Sequence, residues 1–363
     1  MNKTQGTHYG YGTAVDAAGK LFHKIAHAVS YRGSESEPVR KDEPSAIIKI
    51  NSKDPEIIAV FSPFFRGVGS ATREMVRDTV EVLEIQSSKS ARRIASQILE
   101  YNPKKILISG YARGHENLAQ ELKSLNSKLR IFVLIHSAFI WFDCFPEENY
   151  VFERYVRMVG EGTVEKIGFC KRDVAEYFRR QGLNSYFVMN RFYPEKHRSK
   201  KMSGKPKIGI WGQNHWHRNI TNQVIGALMI NDCDIHVNEV SDHFFIDRSR
   251  INVHGILSKD AFLELLSDMD VNSYVSMTEC FPMTVIESLQ YCVPCLVSDT
   301  SDVYAFSPYL KDKLTVSTVD SPLGIARNIE DVITRHDEIQ DAIVRYLPIL
   351  KEETEASIKR FLE

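Results

Sequence analysis

Glu279 and Glu287 stand eight positions apart and bracket the run Cys280-Phe281-Pro282-Met283-Thr284-Val285-Ile286. The stretch Val271-Asn272-Ser273-Tyr274-Val275-Ser276 just before them predicts a buried strand, and the spacing from Met283 through Gln290 predicts a helix. A strand that turns this tightly into a helix leaves backbone N–H groups free in the first helical turn, where they attract anionic phosphate. A carboxylate on each side of such an anion site can hold sugar hydroxyls. Together these groups suit a nucleotide-diphosphate sugar.

The surrounding elements must bring those groups to a cleft. In the first half, strands are predicted over 56–61, 105–109, 131–135 and 166–170. They alternate with helices over 14–30, 71–83, 91–101, 116–125 and 172–181, and residues 66–70 are expected to form a loop. A stretch rich in Lys, Ser, Gly and Pro follows, after which the alternation resumes. Strands are predicted at 207–212, 234–240, 251–254, 271–276 and 294–298, helices at 221–230 and 259–269, and a long helix over 337–362. Alternation at this spacing predicts an α/β chain with parallel, doubly wound sheets. The expected division is a first domain over 1–192, a linker over 193–206, a second domain over 207–335, and a C-terminal helix over 336–363 packing back on the first domain. Ligands of such sheets bind at the carboxyl ends of the strands, which puts Glu279 in the cleft between the domains.

The bulk properties narrow the class. The chain has 363 residues, 43% hydrophobic and 26% charged, and a net charge of −1. This is enough for two cored domains and does not by itself point to a polyanionic partner. The first 190 residues carry 27 Lys and Arg against 22 Asp and Glu, a mild basic bias compatible with ordinary surface scatter or an anionic acceptor. Six cysteines suggest no disulfide framework, and Cys292-Val293-Pro294-Cys295 lacks the second pair a zinc site needs. The start is polar, and the most apolar run, 131–142, is too short to span a bilayer. The expected setting is cytoplasmic, with at most peripheral membrane contact.

The segment from Val253 to Thr300 resembles the donor-binding core of retaining GT-B-fold glycosyltransferases, in the large family that includes sucrose synthases and bacterial mannosyltransferases. His254-Gly255-Ile256-Leu257 is similar to its strand and glycine turn. The helix over 259–269, the paired glutamates with Phe281 and Pro282 between them, and the closing strand Val293-Pro294-Cys295-Leu296-Val297 follow in the family's order. The resemblance implies a GT-B fold of two Rossmann-like domains. It implies that Glu287 holds the donor ribose and Glu279 the transferred sugar. Phe281, Pro282, Met283 and Thr284 would line the diphosphate site, and Gly255, Ile256 and Leu257 would border the nucleobase. It also implies that Gly212 opens a phosphate-facing turn, that His136 contacts the donor sugar from across the cleft, and that the Gly10-Tyr11-Gly12 loop, with Gly12, lies near the reacting centre.

The chain departs from the family's pattern at one point. An arginine usually follows the glycine matched by Gly212, with a lysine five positions later. Here those positions hold Gln213 and Arg218. Arg218 supplies one cation and Gln213 does not, which leaves His215 or His217 (if protonated) and Arg191 as local substitutes. Asp232-Cys233-Asp234 and Asp268-Met269-Asp270 have the look of metal motifs but are expected to be surface turns. No metal and no cofactor beyond a UDP- or GDP-linked sugar donor is expected. The expected activity is retaining, hexosyltransferase-like transfer to a hydroxyl of a saccharide or lipid-linked saccharide, with Arg66, Arg73, Arg113 and His115 as acceptor-side candidates. Two alternatives stay open: transfer to nucleic acid, such as a modified base of phage DNA, and a degenerate GT-B protein that binds sugar nucleotides without turnover.

Overall fold

A computed structural model describes residues 46–144, 146–193, 202–243 and 245–363. The first sheet contains β1 (Ala46–Lys49), β2 (Ile57–Phe61), β3 (Thr79–Val82), β4 (Lys105–Ser109), β5 (Arg130–Ile135), β6 (Lys166–Phe169) and β7 (Ser185–Phe187). Their order is β1-β3-β2-β4-β5-β6-β7, parallel throughout except for the β1–β3 pair. Helices α1 (Arg66–Met75), α2 (Ser88–Leu99), α3 (His115–Leu125), α4 (Ile140–Cys144), α5 (Pro146–Gly160) and α6 (Arg172–Arg180) connect them. The central strands are apolar on both faces because helices cover both: Ile58 through Phe61 and Ile131 through Ile135 are all buried.

The second sheet contains β8 (Lys207–Ile210), β9 (Asp234–Val237), β10 (Ile251–Val253), β11 (Val271–Tyr274), β12 (Cys295–Ser298) and β13 (Thr315–Val316), all parallel, in the order β10-β9-β8-β11-β12-β13. Its helices are α7 (Ile220–Leu228), α8 (Lys259–Ser267), α9 (Met283–Gln290), α10 (Pro308–Leu314), α11 (Pro322–Thr334) and α12 (His336–Leu362). The strand order reverses between β8 and β11, so the loops leaving these two strands splay apart and open a crevice. The equivalent reversal in the first sheet lies between β2 and β4. The two doubly wound Rossmann-like lobes face each other across a cleft.

Helix α12 crosses to the first lobe. Phe361 is fully buried, its ring edge-on to Phe132 at 5.6 Å. The Ser357 hydroxyl accepts the Met189 N–H at 3.1 Å. Gly168 in β6 leaves the room Phe361 needs: a Cβ there would lie 3.0 Å from the Phe361 Cζ.

The structure corrects the reading of residues 66–83. Residues 66–70 are the first turns of α1 rather than a loop, the helix ends at Met75, and a strand, β3, occupies Thr79–Val82. All four β3 side chains are buried. Asp78 anchors the strand's entry by accepting the Asn51 and Ser52 N–H groups, at 2.7 and 3.2 Å. The buried Glu81 is matched by Lys49 and Arg73, at 2.6 and 3.0 Å. Elements β1, α4, α5, β7, α10, β13 and α11 have no counterpart in the elements expected from the sequence. The helix expected over 14–30 and the loop carrying Gly12 lie outside the described residues.

Candidate functional site

The site is built where β11 runs into α9. The loop between them is pinned from three sides. The Glu279 N–H donates to Thr300 Oγ1 at 3.0 Å, at the end of β12. Lys171, the residue before α6 on the first lobe, donates to the carbonyls of Glu279 and Thr300, at 2.9 and 2.7 Å. Asn190, also of the first lobe, donates to the Phe281 carbonyl at 2.6 Å. Phe281 and Pro282 are buried, and Met283 opens α9 with Pro282 as its N-cap and no side-chain capping bond. Proline has no N–H to offer and no side-chain acceptor, so the first-turn N–H groups of Met283 and Thr284 remain open to an anion. Helix α9 packs against α1 of the facing lobe, which puts this N-terminus beside the interlobe gap.

Both glutamates belong to this constellation. The Glu279 carboxylate accepts the Cys280 N–H at 3.2 Å and pairs with Arg218. Arg218 closes a 3-10 turn, Trp216–Arg218, and lies 5.2 Å from the centre of the Tyr274 ring. Burial alone would lower the Arg218 pKa, but the charge and hydrogen bond of the Glu279 carboxylate oppose it and the guanidinium is held above its ordinary value. Glu287, one helical turn further along α9, is buried at 5% exposure. Among the described residues its one hydrogen-bonding partner is Lys259, the first residue of α8.

Three polar residues invisible as site elements in the sequence hold the loops together. Asn238 joins the two glycine turns. Its Oδ1 accepts the Gly212 N–H at 3.2 Å, its Nδ2 donates to the Gly255 carbonyl at 3.1 Å, and its own carbonyl accepts the Gly255 N–H at 2.9 Å. Both glycines have positive φ, +127° and +69°, which makes glycine the favoured residue there. Gln223, fully buried on α7, donates to the Arg218 carbonyl at 2.8 Å and accepts from Ser273 Oγ and Val275 N, at 2.8 and 2.9 Å. Asn219, in the left-handed region at φ +57°, donates to the Val275 carbonyl at 3.1 Å. Arg218 is thereby tied to the end of β11.

The other sequence candidates fall as follows. Gln213 is exposed, and its Oε1 accepts from His215 Nε2 at 3.3 Å. Ile256 is exposed, and Leu257 lines a pocket of about 350 Å³ with His254, Ala261 and Glu264. His136 stands on the first lobe just beyond β5. Its Nε2 lies 2.8 Å from Ser109 Oγ and its Nδ1 3.4 Å from Cys170 Sγ. Cys170 in turn is 3.7 Å from Asn190 Oδ1, so His136 connects through Cys170 and Asn190 to the Phe281 carbonyl.

Five suggested cations are neutral or engaged elsewhere. Burial and the neighbouring Arg218 charge lower the pKa of His215, and push that of His217 down to about 3. Both imidazoles are therefore neutral near pH 7. Arg191 donates to the Tyr193 hydroxyl at 3.2 Å, and Arg73 is committed to Glu81. His115 is likewise structural: it is fully buried, 3.2 Å from the Val82 carbonyl, with its pKa pushed down to about 4. Asp232 and Asp234 share Lys205, at 3.6 and 3.0 Å, and Asp268 pairs with Lys207 at 2.6 Å. Among the described residues no cluster of three or more His, Cys, Asp or Glu side chains is placed to hold a metal ion. Cys292 and Cys295 are free thiols.

No protein-family model matches the chain, and no curated protein does. Solved structures do. A glycosyltransferase from Rickettsia africae superposes with a TM-score of 0.58 at 12% identity, over 85% of this chain and 99% of that one. A UDP-forming α,α-trehalose-phosphate synthase from Burkholderia xenovorans gives 0.52 at 11% identity, over 85% and 100%. A sucrose-phosphate synthase from Thermosynechococcus elongatus gives 0.52 at 11% identity, over 85% and 95%. The fold is GT-B. Within it, the crevice between β8 and β11 carries both glutamates, Arg218 and the open end of α9.

The three neutral histidines predict an acid sensitivity. Burial holds the pKa of His115 and His136 at about 4 and that of His217 at about 3, against 6.5 for an unperturbed imidazole. Between these values the unfolded chain binds protons that the folded chain does not. Their stabilising contribution is complete above about pH 6.5 and is lost as pH falls toward 4. Calorimetry is expected to show Tm falling steadily over that window. A Tm independent of pH between 6.5 and 4.5 contradicts these assignments.

Proposed function

We propose that the chain is a retaining glycosyltransferase that moves a sugar, most simply a hexose, from a UDP- or GDP-linked donor to a hydroxyl of a saccharide or lipid-linked saccharide. One observation carries this reading. An uncapped helix N-terminus, an arginine–glutamate pair and a second buried glutamate meet at the topological switch point of the second lobe, facing the first. The Met283 and Thr284 amides and the α9 dipole would receive the diphosphate, and the Glu287 carboxylate the ribose hydroxyls. Glu279 would orient the transferred sugar. As the glycosidic bond lengthens, the sugar gains oxocarbenium character and the diphosphate gains charge, which Arg218 and the helix terminus would stabilise without reorganisation. The departing phosphate oxygen would take the acceptor's proton on the same face, so the new bond forms with retained configuration and no enzyme nucleophile. Likeness in fold to synthases of trehalose phosphate and sucrose phosphate favours a saccharide acceptor.

Charge neutralisation by Arg218 and α9 supports transfer without a metal ion, which activity retained after EDTA dialysis checks. Among the described residues no helix is long and apolar enough to cross a membrane. The buried free cysteines suit work in the reducing cytoplasm.

The test is a thermal-shift screen with nucleoside diphosphates followed by transfer assays from UDP-, GDP- and ADP-sugars. Stabilisation by one diphosphate and turnover of its sugar are expected. Stabilisation without turnover across broad acceptor pools favours the sugar-nucleotide-binding alternative that Gln213 motivates. Glu287→Ala is expected to weaken nucleotide binding by about 10- to 100-fold, since charge-assisted hydrogen bonds to the ribose are lost, with kcat at saturating donor little changed. Equal affinity of the variant and the parent chain removes Glu287 from the site.

A further inference from the structure

Lys259 occupies a place that its local context does not favour. It is the first residue of α8, where the helix dipole is positive and a cation is disfavoured. Ser258 already caps this helix, accepting the Ala261 N–H at 3.3 Å, so α8 does not need the lysine. Its ammonium instead reaches the buried Glu287 carboxylate and lies 3.5 Å from Ser70 Oγ on α1 of the opposite lobe. The lysine side chain is half exposed, whereas the Glu287 side chain is only 6% exposed. A half-exposed cation thus sits in the interlobe gap on the carboxylate assigned to the ribose.

We propose, on the footing of the nucleotide-sugar reading above, that Lys259 is the second cation of the donor site, standing in for the one Gln213 does not supply. On Glu287 it neutralises a carboxylate whose burial without a partner would be costly. When ribose hydroxyls take the carboxylate, the ammonium is released toward the diphosphate at the start of α9. Glu287 lies four residues beyond Met283, about 6 Å along the helix axis. A four-carbon lysine stem swings through that distance without backbone movement. Because the same ammonium also reaches Ser70, donor binding and the approach of the two lobes are coupled through it.

Two thermodynamic consequences have opposite signs. Toward a diphosphate Lys259 is attractive, and toward the ribose alone it is a competitor for Glu287. The experiment is calorimetric titration of uridine, UDP, guanosine and GDP into the parent chain, Lys259→Met and Lys259→Arg. Lys259→Met is expected to bind the preferred diphosphate about tenfold or more weakly, the loss of one charge-assisted contact, while binding the matching nucleoside as well as or better than the parent. Lys259→Arg, which keeps the charge, is expected to recover most of the diphosphate affinity.

If Lys259→Met leaves too little folded protein, Glu287→Gln is compared with Glu287→Gln/Lys259→Met, a pair in which no buried carboxylate is left unmatched. The ratio of nucleoside to diphosphate Kd is then expected to drop about tenfold on adding Lys259→Met. Equal changes for nucleoside and diphosphate, or no change in either, overturn the role of Lys259 while leaving the nucleotide-sugar reading intact. A parent chain that binds none of the four ligands overturns both.

Discussion

Arg218→Met is expected to lower kcat by about two to three orders of magnitude at saturating donor, the usual consequence of removing one preorganised charge at a transition-state oxyanion. The size of the effect follows from how little else on the β8 loop carries charge. Gln213 is neutral and exposed, and His215 and His217 are held neutral by burial and by Arg218 itself. The guanidinium acts at full strength because it is mostly buried, at 27% exposure, where a charge is screened less than at the surface. One confounding effect is built in: Glu279, 14% exposed, loses its ion-pair partner in this variant and would reorganise. Arg218→Lys separates the two contributions. It keeps a cation against Glu279 but loses the planar fork, so it is expected to fold like the parent and to recover part of kcat. The measurement is initial rate against donor concentration for the three proteins. A kcat for Arg218→Met within about threefold of the parent removes Arg218 from the chemistry.

The part of the second lobe from β8 to β12 was legible in the sequence because its signals are local. The helix start at Met283 is marked by a buried strand, a proline and a return of helical spacing within a dozen residues, and both glutamates are placed by that register alone. The first lobe was less legible for two physical reasons. Gly67 and Gly69 made the start of α1 look like a loop, since glycine is the weakest helix former after proline. Gly69 is there for space, because a Cβ would lie 2.9 Å from the Phe61 ring. Strand β3 follows α1 with no glycine or proline between them, so periodicity ran the helix on into it. What local pattern could not carry at all are the groups that assemble the site across the gap. Lys171, Asn190 and Lys259 meet partners 108, 91 and 189 positions away. As isolated residues they read as a solvated lysine, a loop asparagine and a surface lysine. Asn238 and Gln223 were missed because buried amides announce themselves only through the partners they satisfy.

Gln223→Leu is expected to be the most destabilising single substitution around the site, by about 4 kcal/mol. Leucine preserves the side chain's approximate bulk and removes every polar contact. The Arg218 carbonyl loses its donor and Ser273 Oγ and Val275 N lose their acceptor, while the Asn219 carbonyl loses a second donor but keeps the backbone N–H of residue 223. Each buried group so orphaned costs about 1–3 kcal/mol, with partial relief from water or rearrangement. The loss is expected in the midpoint of urea unfolding, and transfer activity should fall with it because one of the two ties between the Arg218 turn and the end of β11 is gone, leaving the Asn219 bond to the Val275 carbonyl. Gln223→Glu distinguishes hydrogen bonding from packing. Its carboxylate would face two carbonyl oxygens, so its folded pKa would be raised above the unfolded value of about 4.3. Stability contributed by the protonated form is then fully present below that unfolded value and lost as pH rises through the folded one. The difference in Tm between the parent and Gln223→Glu is therefore expected to shrink on acidification, against the general acid sensitivity set by the buried histidines. A difference that is flat or grows toward low pH shows that Gln223 acts by its volume and not by its four hydrogen bonds.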